Sequence, residues 1–156
     1  MHLEGSCRCG AVTFGCDAYA PVPYLRCYCS ICRKTDGGGG FAINLGAHAG
    51  SLTVTGEEHV GVFSATIDGR PSSAERRFCR HCGSALWVWD PTWPELVHPF
   101  ASAIDTPLPT PPHVVHMMLA DKPDWVRADI RDGDVVHPGY PDLSLRDWHA
   151  AHGLLS

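Results

Sequence analysis

No stretch of this chain approaches the ~20 consecutive apolar residues that a membrane helix needs. Met1-His2-Leu3-Glu4-Gly5 offers neither the Lys/Arg cluster nor the following apolar run of a secretory leader. The chain therefore reads as soluble and cytoplasmic, with no membrane partner. Positive charge is also in short supply. Twelve Lys and Arg stand against 17 Asp and Glu, a formal net charge of −5 with a pI near 6.0. That balance excludes the basic stripe of a nucleic-acid surface. The densest basic run, Glu75-Arg76-Arg77, carries its own acid and reads as a solvated face. No H-E-x-x-H, G-x-S-x-G, P-loop or dinucleotide fingerprint occurs, which removes the commonest metallopeptidase, hydrolase and nucleotide-binding classes. Long helical periodicity is missing as well. Sixteen Gly and 13 Pro divide the chain into short pieces, favouring short strands and turns.

What the chain does have is cysteine, eight in all, with seven in three tight groups: Cys7-Arg8-Cys9, Cys27-Tyr28-Cys29-Ser30-Ile31-Cys32 and Cys79-Arg80-His81-Cys82. In a chain without an export signal, cysteines at C-x-C and C-x-x-C spacing point to metal ligands before disulfides. Cys7, Cys9, Cys79 and Cys82 supply four thiolates, enough to close one tetrahedral zinc site, and each pair is followed by a glycine (Gly10, Gly83) that lets the backbone turn. Cys27, Cys29 and Cys32 supply three. A zinc with three protein ligands keeps a fourth position for water or substrate, and a thiol bound there is deprotonated at neutral pH. On residues alone the triplet has other readings: a second structural site completed by one of ten histidines, an iron–sulfur cluster, or a metal-free redox set. Cys16, evenly spaced with Val12 and Phe14, reads as a core filler.

The remaining pattern is mainly β. Strands are expected at 11–16, 24–27, 41–45, 51–55, 61–65, 84–89 and 113–118, a helical turn at 30–34, loops at 66–74 and 90–112, and a short helix within 144–155, where Leu145, Trp148, His149 and His152 share a face. One domain over 1–156 is expected, with a core at about 3–130 and a C-terminal extension at 131–156, built largely of antiparallel sheet. Gly37–Gly40 would shape a pocket beside the triplet or form a flexible loop, and Arg33 and Lys34 would offer charge to an acidic thiol or lie on a solvated surface. A docking module is the competing reading, using Trp87, Trp89 and Trp93 as an apolar patch.

The segments Gly5-Ser6-Cys7-Arg8-Cys9-Gly10-Ala11-Val12, Cys27-Tyr28-Cys29-Ser30-Ile31-Cys32-Arg33-Lys34 and Arg77-Phe78-Cys79-Arg80-His81-Cys82-Gly83-Ser84, in this order, resemble the glutathione-dependent formaldehyde-activating family, whose domain also occurs in centromere protein V. The resemblance covers roughly residues 3 to 130. It implies a zinc-clipped antiparallel β-tent fold with two zinc ions, one structural on Cys7, Cys9, Cys79 and Cys82 and one catalytic on Cys27, Cys29 and Cys32. It also implies a carbon–sulfur lyase acting on a thiol–aldehyde adduct, with glutathione and formaldehyde as the founding pair. The chain departs from the family in carrying Tyr28 where members often have histidine, in its glycine-rich loop after the triplet, and in an expanded proline-rich segment around Pro107–Pro112.

Overall fold

A computed structural model describes residues 1–155 of the chain. Its elements are β1 (His2–Ser6), β2 (Thr13–Asp17), β3 (Tyr24–Cys27), α1 (Ser30–Thr35), β4 (Ala42–Asn44), β5 (Ala47–His48), β6 (Thr53–Thr55), β7 (Val60–Phe63), β8 (Thr66–Ile67), β9 (Arg70–Pro71), β10 (Glu75–Cys79), β11 (Ala85–Trp89), β12 (Leu96–Pro99), β13 (Val114–Met117), β14 (Val135–Val136) and α2 (Leu145–Ala151). The mainly β expectation with a short C-terminal helix holds. The strands form three principal sheets, ordered β1-β2-β6, β5-β12-β11-β10-β7 and β14-β13-β3-β4, beside a small β8-β9 hairpin.

Alternation explains the first sheet. Leu3 of β1 and Phe14 and Cys16 of β2 turn inward to a core that also holds Val12, Leu45, Leu86, Trp87 and Val97. Phe14 and Trp87 meet with ring centroids 5.0 Å apart, joining the first sheet to the second. Cys16 is fully buried among these residues, and burial, followed by the charge of Asp17, pushes its thiol up to about 11. It is packing material, as its spacing implies.

Two expectations need correction. The 66–74 loop contains the β8-β9 hairpin, because Asp68 and Gly69 both adopt positive φ (50° and 76°) and so form the two-residue turn that Asp-Gly favours. The 90–112 segment contains β12, which pairs with both β11 and β5 despite its proline-rich surroundings. The largely antiparallel expectation holds, with β13 the exception, since it lies parallel to both β3 and β14. That parallel pairing sets the end of β3, where the cysteine triplet begins, beside the end of β13 and one strand away from β14. Met117 is the register partner of Cys27, and Tyr28 donates its backbone N–H to Met117 O at 3.1 Å.

Candidate metal centres and the cavity beside them

Cys7 and Cys9 lie in the turn joining β1 to β2. Cys79 ends β10, and Cys82 lies in the turn leading to β11. These hairpin tips belong to two different sheets. Arg8 N–H donates to Ser84 Oγ at 3.0 Å, tying the tips together, and Gly10 and Gly83 take positive φ (80° and 76°) where each chain turns away. A register shift between Arg77 and Phe78 re-aims the end of β10 just before Cys79. The four sulfurs lie within 4.8 Å of one another, with Cys7–Cys9 at 3.6 Å and Cys9–Cys79 at 3.8 Å. Those separations are far too long for a disulfide, yet a tetrahedron with Zn–S of about 2.3 Å has edges of about 3.8 Å. Val12 N–H also points at Cys7 Sγ, 3.2 Å away, the kind of donor that steadies a thiolate ligand. The donor set fits a closed zinc site.

The triplet is built differently. Cys27 closes β3, Cys29 caps the start of α1 by accepting Cys32 N–H at 3.3 Å, and Cys32 sits inside the helix. Its three sulfurs also lie within 4.8 Å of one another, and among the described residues no fourth side-chain donor joins them. Crowding sets their electrostatics. The hydrogen bond from Cys27, then that from Cys32, pulls Cys29 far down, while the same contact with Cys29 pushes Cys27 far up. Three sulfurs this close cannot all ionise without a cation among them, so this donor set also fits a zinc ion.

Tyr28 anchors the triplet from behind. Its side chain is fully buried, and its hydroxyl lies 2.8 Å from His116 Nδ1, while His116 Nε2 lies 2.9 Å from Asp134 Oδ2. The carboxylate can only accept, so Nε2 carries the proton, and in the neutral ring Nδ1 accepts from Tyr28. Asp134 also accepts the backbone N–H groups of Val114 and Arg131. Burial opposes its charge, but the Arg131 N–H, the His116 ring and the Val114 N–H together hold the carboxyl down at about 2. Because that lies below the ordinary carboxylate value, the stabilisation is complete above about pH 4 and is lost as pH falls toward 2. Asp134→Asn is expected to lower stability at pH 7 by about 2 kcal/mol, the scale of charge-assisted hydrogen bonds, with the deficit shrinking as pH falls below 4. Urea unfolding at pH 7 and pH 3 checks this.

The triplet opens onto a cavity of about 620 Å3. Its lining decides two open readings. Neither Gly37–Gly40 nor Arg33 and Lys34 contribute to it. Gly40 instead has φ of +103° and packs so closely on Val126 that a Cβ would collide with Cγ2, which explains the glycine without a ligand. The cation beside the triplet is Arg76, which the sequence placed on a solvated face; its guanidinium reaches Cys32 Sγ at 3.5 Å and Thr35 Oγ1 at 3.4 Å. The tryptophans are not a surface patch. Trp87 is core, Trp89 packs against it, and Trp93 lines the cavity edge-on to His98, centroids 4.6 Å apart.

His98 went unrecognised as a site residue. Its Nδ1 lies 2.8 Å from Leu45 O, and a carbonyl cannot donate, so Nδ1 carries the proton and Nε2 keeps a free lone pair on the cavity wall. Burial, partly offset by the Leu45 bond, lowers its pKa and keeps the ring neutral. Strand alternation in β12 puts Val97 and Pro99 in the core and leaves Leu96 and His98 to the cavity. That four-residue alternation was the available signal.

A protein-family model described as glutathione-dependent formaldehyde-activating enzyme matches residues 2–120. A curated protein of Halomonas elongata, whose name provisionally assigns it as a glutathione-dependent formaldehyde-activating enzyme, is 60% identical over 154 residues, covering 99% of this chain and 98% of that protein. A crystal structure of a Rhodobacter sphaeroides protein aligns with a TM-score of 0.53 and 27% identity, over 68% of this chain and 91% of its own. No helix among the described residues is long and apolar enough to cross a membrane.

Proposed function

This chain belongs to the glutathione-dependent formaldehyde-activating enzyme family, and from that premise we propose that it is a zinc-dependent carbon–sulfur lyase-type enzyme acting on a thiol–aldehyde adduct, with a glutathione-like thiol as one substrate. The observation that carries the reading is the three-sulfur cluster of Cys27, Cys29 and Cys32 at the wall of a cavity, with no fourth side-chain donor among the described residues. Zinc on those sulfurs supplies Lewis acidity and a lowered pKa for a bound thiol. A second zinc on Cys7, Cys9, Cys79 and Cys82 is structural in this reading.

The chain's own residues account for the rest. His98 Nε2, neutral and unpartnered, accepts the thiol proton and returns it to the carbonyl oxygen once the carbon–sulfur bond has formed. Arg76 lends positive charge to the cluster through Cys32, limiting the basicity of a sulfur that must not leave its place. Tyr28 and His116 hold the loop that carries the triplet, so the sulfurs keep their mutual geometry through the reaction. The cytoplasm, where thiols stay reduced, is the compartment that suits seven ligand cysteines and a thiol substrate.

The test has two parts. Protein purified without added metal should hold two zinc ions per chain. NMR exchange between free glutathione and its formaldehyde adduct should quicken in proportion to protein concentration. Two zincs with exchange no faster than the spontaneous reaction would remove the enzyme and leave a zinc-stabilised module that binds a protein or the thiol adduct.

A further inference from the structure

Formaldehyde adds a single carbon to a thiol, and that leaves most of the cavity unexplained. A volume of about 620 Å3 lies in the range that encloses drug-sized ligands. Among its lining residues only three, Arg76, Asp90 and Asp142, carry permanent charge. Arg76, the single Lys or Arg among the lining residues, is directed at Cys32 and Thr35. Asp90 is saturated by Ser73 Oγ and by the N–H and hydroxyl of Thr92. Asp142 is exposed at the rim. Glutathione carries two carboxylates and an ammonium, and an unpaired charge is strongly disfavoured away from water. Its ends therefore stay at the mouth, and what enters the interior is apolar.

Two groups of residues make that interior. Leu25, Val88 and Met117 come from the stretch that matches the family model, whereas Val135, Leu143 and Trp148 come from beyond it. The extension is held against the site by the Asp134–His116 pair and by β14 lying beside β13. It thus adds an apolar wall facing the open cluster.

Resting on the lyase reading above, we propose that the aldehyde-derived half of the adduct carries a large apolar group, an aryl ring or a medium-length alkyl chain, and that residues 135–148 form its specificity wall. The reaction keeps its balance. The thiol sulfur bonds to the aldehyde carbon, the carbonyl π bond opens, the thiol proton ends on the oxygen, and nothing is oxidised or reduced. Larger R groups change only what fills the cavity.

Stable thioethers report the preference without turnover. The zinc-loaded full chain is titrated calorimetrically with S-methyl-, S-propyl-, S-hexyl- and S-benzylglutathione. Each methylene that leaves water should raise affinity by about fourfold, so S-hexylglutathione, with half of its five extra methylenes buried, should bind at least about 30-fold tighter than the S-methyl compound. Leu143→Asp, at a side chain 50% exposed and so tolerant of charge, should cut that ratio by about tenfold while zinc content stays unchanged. Equal affinities along the series, or no binding of any member, overturn the proposal on the unmutated protein alone. An unchanged ratio in Leu143→Asp overturns the wall assignment. Glutathione–formaldehyde exchange above the spontaneous rate together with a flat series would sink this inference and spare the lyase. A steep series without any turnover would do the reverse.

Discussion

Cys82→Ser is expected to abolish cooperative folding at 25 °C. Far-UV circular dichroism should show loss of the sheet signal, and the purified chain should retain no stoichiometric zinc. Cys82 is exposed and adds nothing to the core, so serine leaves packing untouched and removes only the fourth sulfur from the group with Cys7, Cys9 and Cys79. The effect is large because the site joins two hairpin tips from separate sheets, closing a loop of some 70 residues between Cys9 and Cys79. Structural zinc contributes on the order of 10–16 kcal/mol in small domains, as much as or more than the ~5–15 kcal/mol by which a domain of this size is stable. Cys16→Ala is the control. It removes a fully buried thiol outside both clusters, and it should cost about 1–2 kcal/mol and leave two zincs per chain. If Cys82→Ser unfolds with the midpoint of the unmutated protein, the four-sulfur group is not what clips the sheets.

The contrast between legible and illegible parts of this site follows sequence distance. Ligand groups such as Cys27-Cys29-Cys32 sit on one turn, so spacing alone reveals them, and Val12, Phe14 and Cys16 announce a buried face through alternation. The C-terminal helix could likewise be read from Leu145 and His149, both buried on one side of α2. Arg76 and His98 could not be read this way. Arg76 reaches Cys32 only because β10 lies against the helix that the triplet starts, and His98 reaches the cavity through the pairing of β12 with β11 and β5. Asp134 matters because β13 runs parallel to β3, a pairing joined through most of the chain. Arg33 and Lys34 are adjacent in sequence to the triplet, yet proximity alone does not separate a site role from a solvated surface. The rotation of a six-residue helix carries them away from the cavity. Local spacing therefore recovers ligands well, whereas the residues that surround a ligand set depend on sheet register.

Cys29→Ser should lower turnover by at least about 10^3-fold, the equivalent of roughly 4 kcal/mol of transition-state stabilisation at 1.36 kcal/mol per decade, while the fold survives. Survival follows from local structure. Cys29 caps α1 through its sulfur, and a serine hydroxyl caps a helix at least as well, so the Cys32 N–H keeps a partner. The loop is also held independently by the Tyr28 hydroxyl on His116 and the Tyr28 N–H on Met117 O, neither of which involves a sulfur. What serine cannot supply is a thiolate. The Cys29 thiol is the one its neighbours pull furthest down, so its loss removes the sulfur that ionises first. Zinc should fall from two to one per chain, and the unfolding free energy from urea titration should move by about 1 kcal/mol or less, since Cys29 is only half-buried. These two numbers separate the possible failures. One zinc with normal turnover would mean that the open cluster is not where the chemistry occurs. Two zincs with normal turnover would mean that Cys27 and Cys32 hold the ion without Cys29. Unfolding on the scale of Cys82→Ser would make the triplet a second structural clip, and the cavity beside it a consequence of packing.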